Sequence, residues 1–546
     1  MFKKIKLQIE NPFTSLIIFF LTGLLIYGIS LNGEFIWDDL GAVVNNEHVT
    51  SFKFIKQWFT EGFMSGAGVT SSNLYRPLAT GAYAAIFGIF GLKAIGYHLI
   101  SLFIHVLNTF LAFNIFKRLR FHALGSFFAA MIFLVHPVQT EAVAHIAGLP
   151  DILGATAILL GVFVFLSNLK TIPSTILLAL IFIAGLLTKE SSITLALLIP
   201  LLAFFNWKNY SAEEKARAKT LIGGTLGIAI LYTLSRFTIL NFHKNLDLHL
   251  VENEYTKSLP LRIITFISVI WEYFRLTFFP VSLHFERAFM IYPNLASPWG
   301  VFGLITLLTC GGFSYKSFRG NKYFLLGTLW FFIALLPVTG LIPVNATYAE
   351  RWLYIPIIGV LLLIPAIYEI CRTVKSKKIF TGILILILIL FGARSIYRNM
   401  QWADSLKFYE NELKYNESSA RLFNQTAQSY FEIGDHDMAI QYFEKGVAAD
   451  VNRMYPEINY NLANTYFITG NVPAAINQYM HTLSKSPNLI RAHVAMQGVS
   501  KEIGNTNMEQ SFSAFVERIE NGEQINFKKE ILPLVETAGA STQRTN

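Results

Sequence analysis

The sequence predicts an all-α protein: a polytopic membrane helix bundle of about 11 spans, then a soluble α-solenoid of helical repeats. Three observations predict it. First, 53% of the 546 residues are apolar and only 14% are charged, against roughly 25% charge in a soluble globular chain. Second, the net charge of +9 is unevenly spread. The 12 basic and 17 acidic residues after position 400 give −5, which leaves +14 on the first 400 residues. Third, the chain after Arg398 repeats itself at a spacing of 36 residues. The same composition excludes disorder, because 48 Phe, 23 Tyr and 8 Trp demand burial. Cys310 and Cys371 lie in or beside apolar stretches and support neither a disulfide framework nor a cysteine metal site.

A crossing needs about 20 mostly apolar residues. Such stretches run near 15–31, 94–117, 121–135, 150–168, 173–188, 190–206, 220–240, 298–313, 323–340, 351–371 and 378–394. The first could pass for a signal peptide, but it is long and no small-residue cleavage site follows, so it reads as an uncleaved anchor. Basic clusters at Lys3, Lys4 and Lys6, at 117–120, 208–219, 316–322 and 372–378 mark cytoplasmic loops. The amino terminus is then expected in the cytoplasm and the repeats outside. Two more apolar stretches, 78–92 and 260–279, spoil a simple count; the 316–322 cluster fits only if 260–279 lies along the interface or re-enters. These clusters form no continuous basic face on a soluble domain, so the expected partner is membrane lipid and not nucleic acid.

After Arg398 the pattern changes. Tyr430, Gly434, Ala439 and Phe443 are echoed by Tyr466, Gly470, Ala475 and Tyr479, and Pro487 closes the second unit. Aromatic, glycine, alanine and aromatic at these offsets form the tetratricopeptide helix-turn-helix signature. The boundaries expected are 1–398 for the membrane domain and 399–524 for the repeats, with units near 420–455 and 456–489. A degraded third unit is expected at 490–520, half a repeat at 402–416, and a cap or frayed tail at 525–546.

The loops expected on the outer side hold most of the acids, histidines and arginines that the basic clusters leave unexplained. Polar groups on one side of a multi-span protein line a shared cavity, since lipid does not tolerate them. Asp38 and Asp39 follow the first span. They are either an acid pair that divides labour as base and partner, or Asp38 caps a short helix running into 40–49. Arg76 opens an apolar stretch, where a cation needs a carboxylate or a phosphate. His136, Glu141 and Asp151 lie between two spans; Lys189-Glu190 and Glu350-Arg351 sit at span ends. Each neighbour pair could be a plain structural ion pair. Together, Arg76, Lys189 and Arg351 beside the acids would suit an anionic lipid phosphate and a hydroxyl acceptor. His98 and His105 share a helix face and read as interhelical hydrogen-bond partners sooner than as metal ligands, so no metal is expected. With no phosphate-cradling glycine loop, nucleotide chemistry is poorly supported.

The order of these motifs is informative: Trp37-Asp38-Asp39 with Asn45-Asn46, Tyr75-Arg76-Pro77-Leu78, Gly96-Tyr97-His98 with Asn108, His136-Pro137-Val138-Gln139-Thr140-Glu141 with Asp151, Thr188-Lys189-Glu190, Ala349-Glu350-Arg351, then Trp402 and the repeats. Over roughly 30–490 the chain resembles the transmembrane and tetratricopeptide-repeat-containing protein O-mannosyltransferases, a branch of the polytopic GT-C glycosyltransferases. The resemblance implies a GT-C-type bundle, a polyprenyl-phosphate-linked sugar donor as co-substrate, and a Ser or Thr hydroxyl on an acceptor protein recruited by the repeats. It implies a site on the non-cytoplasmic face and inversion at the sugar. It puts the base and its partner on Asp38 and Asp39, donor phosphate on Arg76, Lys189 and Arg351, and cavity roles on His98, His136, Glu141, Asp151, Glu190 and Glu350. Where the family has Gly-Arg-Ala-Asp this chain reads Gly148-Leu149-Pro150-Asp151, and His284-Phe285-Glu286-Arg287 replaces its Asp-Tyr. Compact loops and few repeats point to a bacterial inner membrane. A non-catalytic membrane scaffold, or transfer to a lipid acceptor, are the alternatives.

Overall fold

The computed structural model describes residues 11–68, 73–240, 254–287, 290–318, 321–344, 346–451 and 455–536. Of the expected basic clusters, Lys3, Lys4, Lys6 and Arg319 lie outside these residues, as does much of the loop before 254. The chain divides into two compact units, Met1–Asp404 and Ser405–Asn546. The first is helical throughout its regular structure. Among the described residues, seven of its helices are long and apolar enough to cross a membrane: Pro12–Asn32, Ala94–Arg118, Ile146–Phe165, Thr171–Thr188, Glu190–Asn209, Ala212–Phe237 and Val374–Trp402. Pro77–Phe90, Ala123–Val135, Lys322–Val338 and Pro356–Ile370 are shorter apolar helices. Each expected span falls on a helix, and so do the two uncertain stretches, on Pro77–Phe90 and Leu259–Phe278.

Burial explains the short members. The 13-residue Ala123–Val135 helix is only about 20 Å long, less than the hydrocarbon thickness. Twelve of its residues are buried, so it meets protein on nearly every side and need not satisfy lipid alone. Close approach comes from small residues: a Cβ on Gly327 would sit 2.3 Å from the Gly359 carbonyl oxygen. Packing by small residues is how helices associate where lipid is as apolar as they are. Polar links add to it. His105 Nδ1 lies 2.7 Å from the Tyr354 hydroxyl and its Nε2 lies 3.1 Å from the Leu134 carbonyl oxygen, while Asn108 donates to the Ile152 carbonyl at 3.0 Å. The expected interhelical role of His105 is met by these bonds.

At one end of the bundle the basic clusters meet helix carboxyl termini. Arg118 donates to the Leu166 carbonyl at 3.1 Å, Arg217 to the Phe165 and Val164 carbonyls at 3.0 Å each, and Lys322 to the Phe205 carbonyl at 2.6 Å. Carbonyls at a helix end lack intrahelical donors, and the helix dipole favours cations there.

The second unit runs Ser405–Leu413, then three helix pairs: Ala420–Glu432 with His436–Ala449, Pro456–Ile468 with Val472–Lys485, and Ile490–Glu502 with Thr506–Glu520. Each pair turns on a glycine at positive φ: 85° at Gly434, 81° at Gly470 and 70° at Gly504. The next residue caps the second helix, with Asp435, Asn471 and Asn505 accepting from the backbone three residues on. Ala439 and Ala475 are fully buried between helices. The third pair is complete, not degraded: Met508 and Phe512 supply the packing that alanine and the second aromatic supply in the other two. Ile525 and Ile531 are buried in the same core, so the chain to Glu536 is a packed cap and not a frayed end. The expected boundary at 398 falls inside the Val374–Trp402 helix. Replacing Gly470 by Ala forces a Cβ into the left-handed region and should cost about 1 kcal/mol, read as a lower thermal midpoint of the repeats.

Candidate active site

Residues 33–46 fold into short turns at one end of the first helix. Trp37 has φ of 54°, a left-handed conformation costing a bulky residue roughly 1–2 kcal/mol. Its neighbours hold it there. The ring is buried edge-on to Phe285 at 5.6 Å, and the Asp39 side chain ties the backbone just before it to a second segment at Ala147. Asp39 Oδ2 accepts from Ile36 N at 3.1 Å, its Oδ1 accepts from Ala147 N at 2.6 Å, and His145 Nε2 lies 3.1 Å from Oδ1. Asp39 is therefore a fully committed, buried carboxylate, and Asp38 beside it is half-buried. The strained turn separates the two acids into different environments. Asp39 stands at the N-cap position of the following turn, Leu40–Val44, and is the acid that organises the segment.

His145 was not foreseen. It follows the His136–Ala144 motif by one residue, and only that adjacency could have marked it. It is buried, stacked on Trp402 at 5.3 Å and 25°, and edge-on to Phe285 at 5.0 Å. Burial alone would make it a weaker base; the Asp39 carboxylate outweighs that and raises its pKa. The charge of Asp38 bears on both His145 and Arg351.

The expected cations converge on the same region, but none is bare. Arg76 grips Glu190 with Nε and Nη2, at 3.1 and 2.9 Å to Oε2. Lys189 Nζ lies 3.1 Å from Asp151. Arg351 pairs with Glu141 through its guanidinium, donates to the same carboxylate from its backbone N–H at 3.0 Å, and places Nε 4.0 Å from Asp151. Glu350 is fully buried and pairs with Arg287 at 2.6 Å, whose guanidinium lies over Tyr348. So the neighbour pairs are crossed: Lys189 and Glu190 serve different partners, as do Glu350 and Arg351. Local backbone explains this. Lys189 is extended before a 3-10 turn begins at Glu190, and Glu350–Leu353 is itself a 3-10 turn, where successive side chains diverge by about 120°. Each adjacent acid and base therefore leaves on a different side. In sequence Arg287 marks only a departure from the family pattern, because a single arginine in a loop carries no partner with it.

Two of the expected cavity residues are buried histidines. His136 Nε2 lies 3.0 Å from the Thr277 carbonyl oxygen and its Nδ1 accepts from Val138 N, so it fastens one helix end to another within the core. His98 is buried on the Ala94–Arg118 helix with its Nε2 close to Gly33. Lys189 has shifted: burial, then the neighbouring Arg76, lowers its pKa to about 8. Among the described residues no three His, Cys, Asp or Glu side chains gather in a way that could hold a metal ion.

The tetratricopeptide-repeat family is matched over residues 420–450. A Caenorhabditis elegans protein named protein O-mannosyl-transferase F38B6.6 is 24% identical over 72% of this chain and 56% of its own length. Human protein O-mannosyl-transferase TMTC3 is 23% identical over 85% of this chain and 54% of its own. Human TMTC1 reaches 36%, over 25% of this chain and 16% of its own. The chain thus spans about half the length of the first two. Among solved structures, the Archaeoglobus fulgidus oligosaccharyltransferase has a TM-score of 0.39 at 13% identity, over 74% of this chain and 59% of that one. At low identity the chain is thus similar over most of its length to proteins named as TMTC O-mannosyl-transferases, and it carries a tetratricopeptide repeat behind a set of apolar helices long enough to cross a membrane.

Proposed function

We propose that the protein is a membrane glycosyltransferase that moves a mannose-like sugar from a polyprenyl-phosphate donor to Ser or Thr hydroxyls of proteins, with inversion. The observation that carries this reading is the unequal acid pair. Asp39 is spent on backbone N–H groups and His145, while the half-buried Asp38 adjoins the charge cluster. Asp38 takes the proton as the acceptor oxygen attacks the anomeric carbon, and the bond from that carbon to the phosphate oxygen breaks. The developing charge on the sugar resembles that in glycoside hydrolysis. The leaving lipid phosphate is stabilised by cations already fixed in place. Because each cation has a carboxylate partner, the phosphate meets the accessible edges of Arg76, Lys189 and Arg351, whose side chains are 12%, 11% and 21% exposed, and does not fill a bare site. The relatives' names support the chemistry, and the repeats supply a surface of the kind that recognises peptides. In this reading the site faces away from the cytoplasm, the amino terminus faces it, and the membrane is a bacterial inner membrane.

The test incubates purified protein with labelled polyprenyl-phosphate mannose, with and without a Ser/Thr-rich acceptor protein. Label on the protein is the expected result. Label on lipid alone would make the acceptor a lipid, and no transfer to either would make the chain a scaffold. The donor response to pH is a second expectation. Below about pH 8 Lys189 is cationic and above it neutral, so the KM for donor should climb between about pH 7 and pH 9. Lys189→Arg, which stays charged, should flatten that climb; an equal climb in the variant would remove Lys189 from donor binding.

A further inference from the structure

We infer that Asp151 is a positioning residue for the donor phosphate, a role that rests on reading Lys189 as a phosphate contact: its carboxylate, with the gap left by Gly154 one helical turn further on, holds the Lys189 ammonium at the site. Asp151 stands in the first turn of the Leu149–Phe165 helix, next to Pro150, where the helix dipole favours a carboxylate. Three residues apart, Asp151 and Gly154 share one face of that helix. Both Asp151 oxygens lie 3.1 Å from Lys189 Nζ, and Oδ2 lies 4.0 Å from Arg351 Nε. A Cβ on Gly154 would sit 2.8 Å from the Lys189 Cβ and 3.5 Å from its Cγ, so only glycine leaves room for the lysine stem. One helix face therefore grips the lysine at both ends, stem and ammonium. The charged groups acting on Lys189 are Arg76 at the start of the Pro77–Phe90 helix, Asp151, Glu190 in its own turn and Arg351 in the Glu350–Leu353 turn. Burial and the two arginines oppose its charge, while Asp151 and Glu190 favour it. Glu190 is held by Arg76 at 2.9 Å, and Asp151 is the carboxylate that touches the ammonium.

The role predicts two linked changes that loss of packing does not. Without the Asp151 charge Lys189 still faces both arginines, so its protonation midpoint should fall from about 8 by about one pH unit. At pH 7.5 that shift removes roughly two-thirds of the cationic form. Donor KM should then rise about threefold there, with little change in kcat. In full-length Asp151→Asn, the midpoint is read from the pH dependence of Lys189 labelling by trace acetic anhydride, followed by mass spectrometry. The KM is read from initial rates with labelled polyprenyl-phosphate mannose and acceptor protein. Asp151→Glu keeps the charge and should restore most of the midpoint. An unmoved midpoint, or a moved midpoint with an unchanged KM, overturns the role. A lower KM overturns it too, since Asp151 would then only compete with the phosphate for the lysine. Should the asparagine variant not insert, Gly154→Ala disturbs the same grip with every charge kept: donor KM is expected to rise, and an unchanged KM overturns the role. The donor reading fails separately. A pH climb in KM that persists in Lys189→Arg, or no transfer by the parent, sinks that reading whatever the Lys189 midpoint does.

Discussion

Asp38→Asn should leave a protein that inserts and melts like the parent, yet transfers sugar at least about a hundredfold more slowly. Asparagine keeps the size and the half-buried position of the side chain but cannot accept a proton at neutral pH. The proposed base contributes only when the acceptor hydroxyl is losing its proton, so the loss belongs in kcat, and donor KM should change little. Asp39→Asn makes a useful contrast. Asp39 accepts from Ile36 N and Ala147 N and faces His145. An amide there turns an NH2 toward at least one donor, and a buried donor without an acceptor costs about 1–3 kcal/mol. That variant should lose stability together with activity, whereas Asp38→Asn should lose activity alone. Initial rates with labelled donor, set beside thermal melting in detergent, separate the two. If both variants melt early, or neither slows transfer, the division of labour between the acids is wrong.

The helices were legible because lipid imposes a coarse rule: long apolar runs must be helical and close to a fixed length. The repeats were legible for a different reason, since Gly434 and Gly470 mark turns that need positive φ and the alanines mark close helix contacts. The third repeat read as degraded because its packing residues, Met508 and Phe512, sit off the expected positions. Membership of the charge cluster was also legible: Arg76, Glu141, Asp151, Lys189, Glu190, Glu350 and Arg351 all take part in it. Its pairing was not. Adjacent charges in sequence suggest a pair, but an extended or 3-10 backbone sends neighbours to different sides, and partners lie up to 210 residues apart. His136 misled because a histidine beside polar neighbours looks the same in sequence whether it lines a cavity or ties two helices. Arg287 stood out only as part of a departure from the family pattern, and His145 not at all, because their value comes from what they meet in space.

The crossed pairing makes its largest thermodynamic prediction at Arg287 and Glu350. Their side chains are 3% and 0% exposed, so little solvent screens the pair. Removing one partner of a buried pair strands the other and typically costs about 3–5 kcal/mol. Arg287→Met and Glu350→Gln should therefore both lower the thermal midpoint, but with different responses to pH. After Arg287→Met the Glu350 carboxylate keeps the His284 N–H at 2.7 Å and the more distant charge of Arg398 but loses its paired counter-charge. Burial already pushes that carboxyl up, with Arg287 pulling it back; without the arginine it rises further. A folded-state pKa above the unfolded value gives stability that is present at low pH and lost as pH climbs through the folded value. The Arg287→Met protein should thus be close to normal near pH 5 and increasingly unstable toward about pH 8. Glu350→Gln strands a guanidinium that cannot give up its proton, so its deficit should hardly change over that range. Replacing both, as Arg287→Met with Glu350→Leu, removes both charges and should recover much of the loss. Two single variants that melt within about 1 kcal/mol of the parent at every pH would show that the pair is not the tightly buried contact the geometry describes.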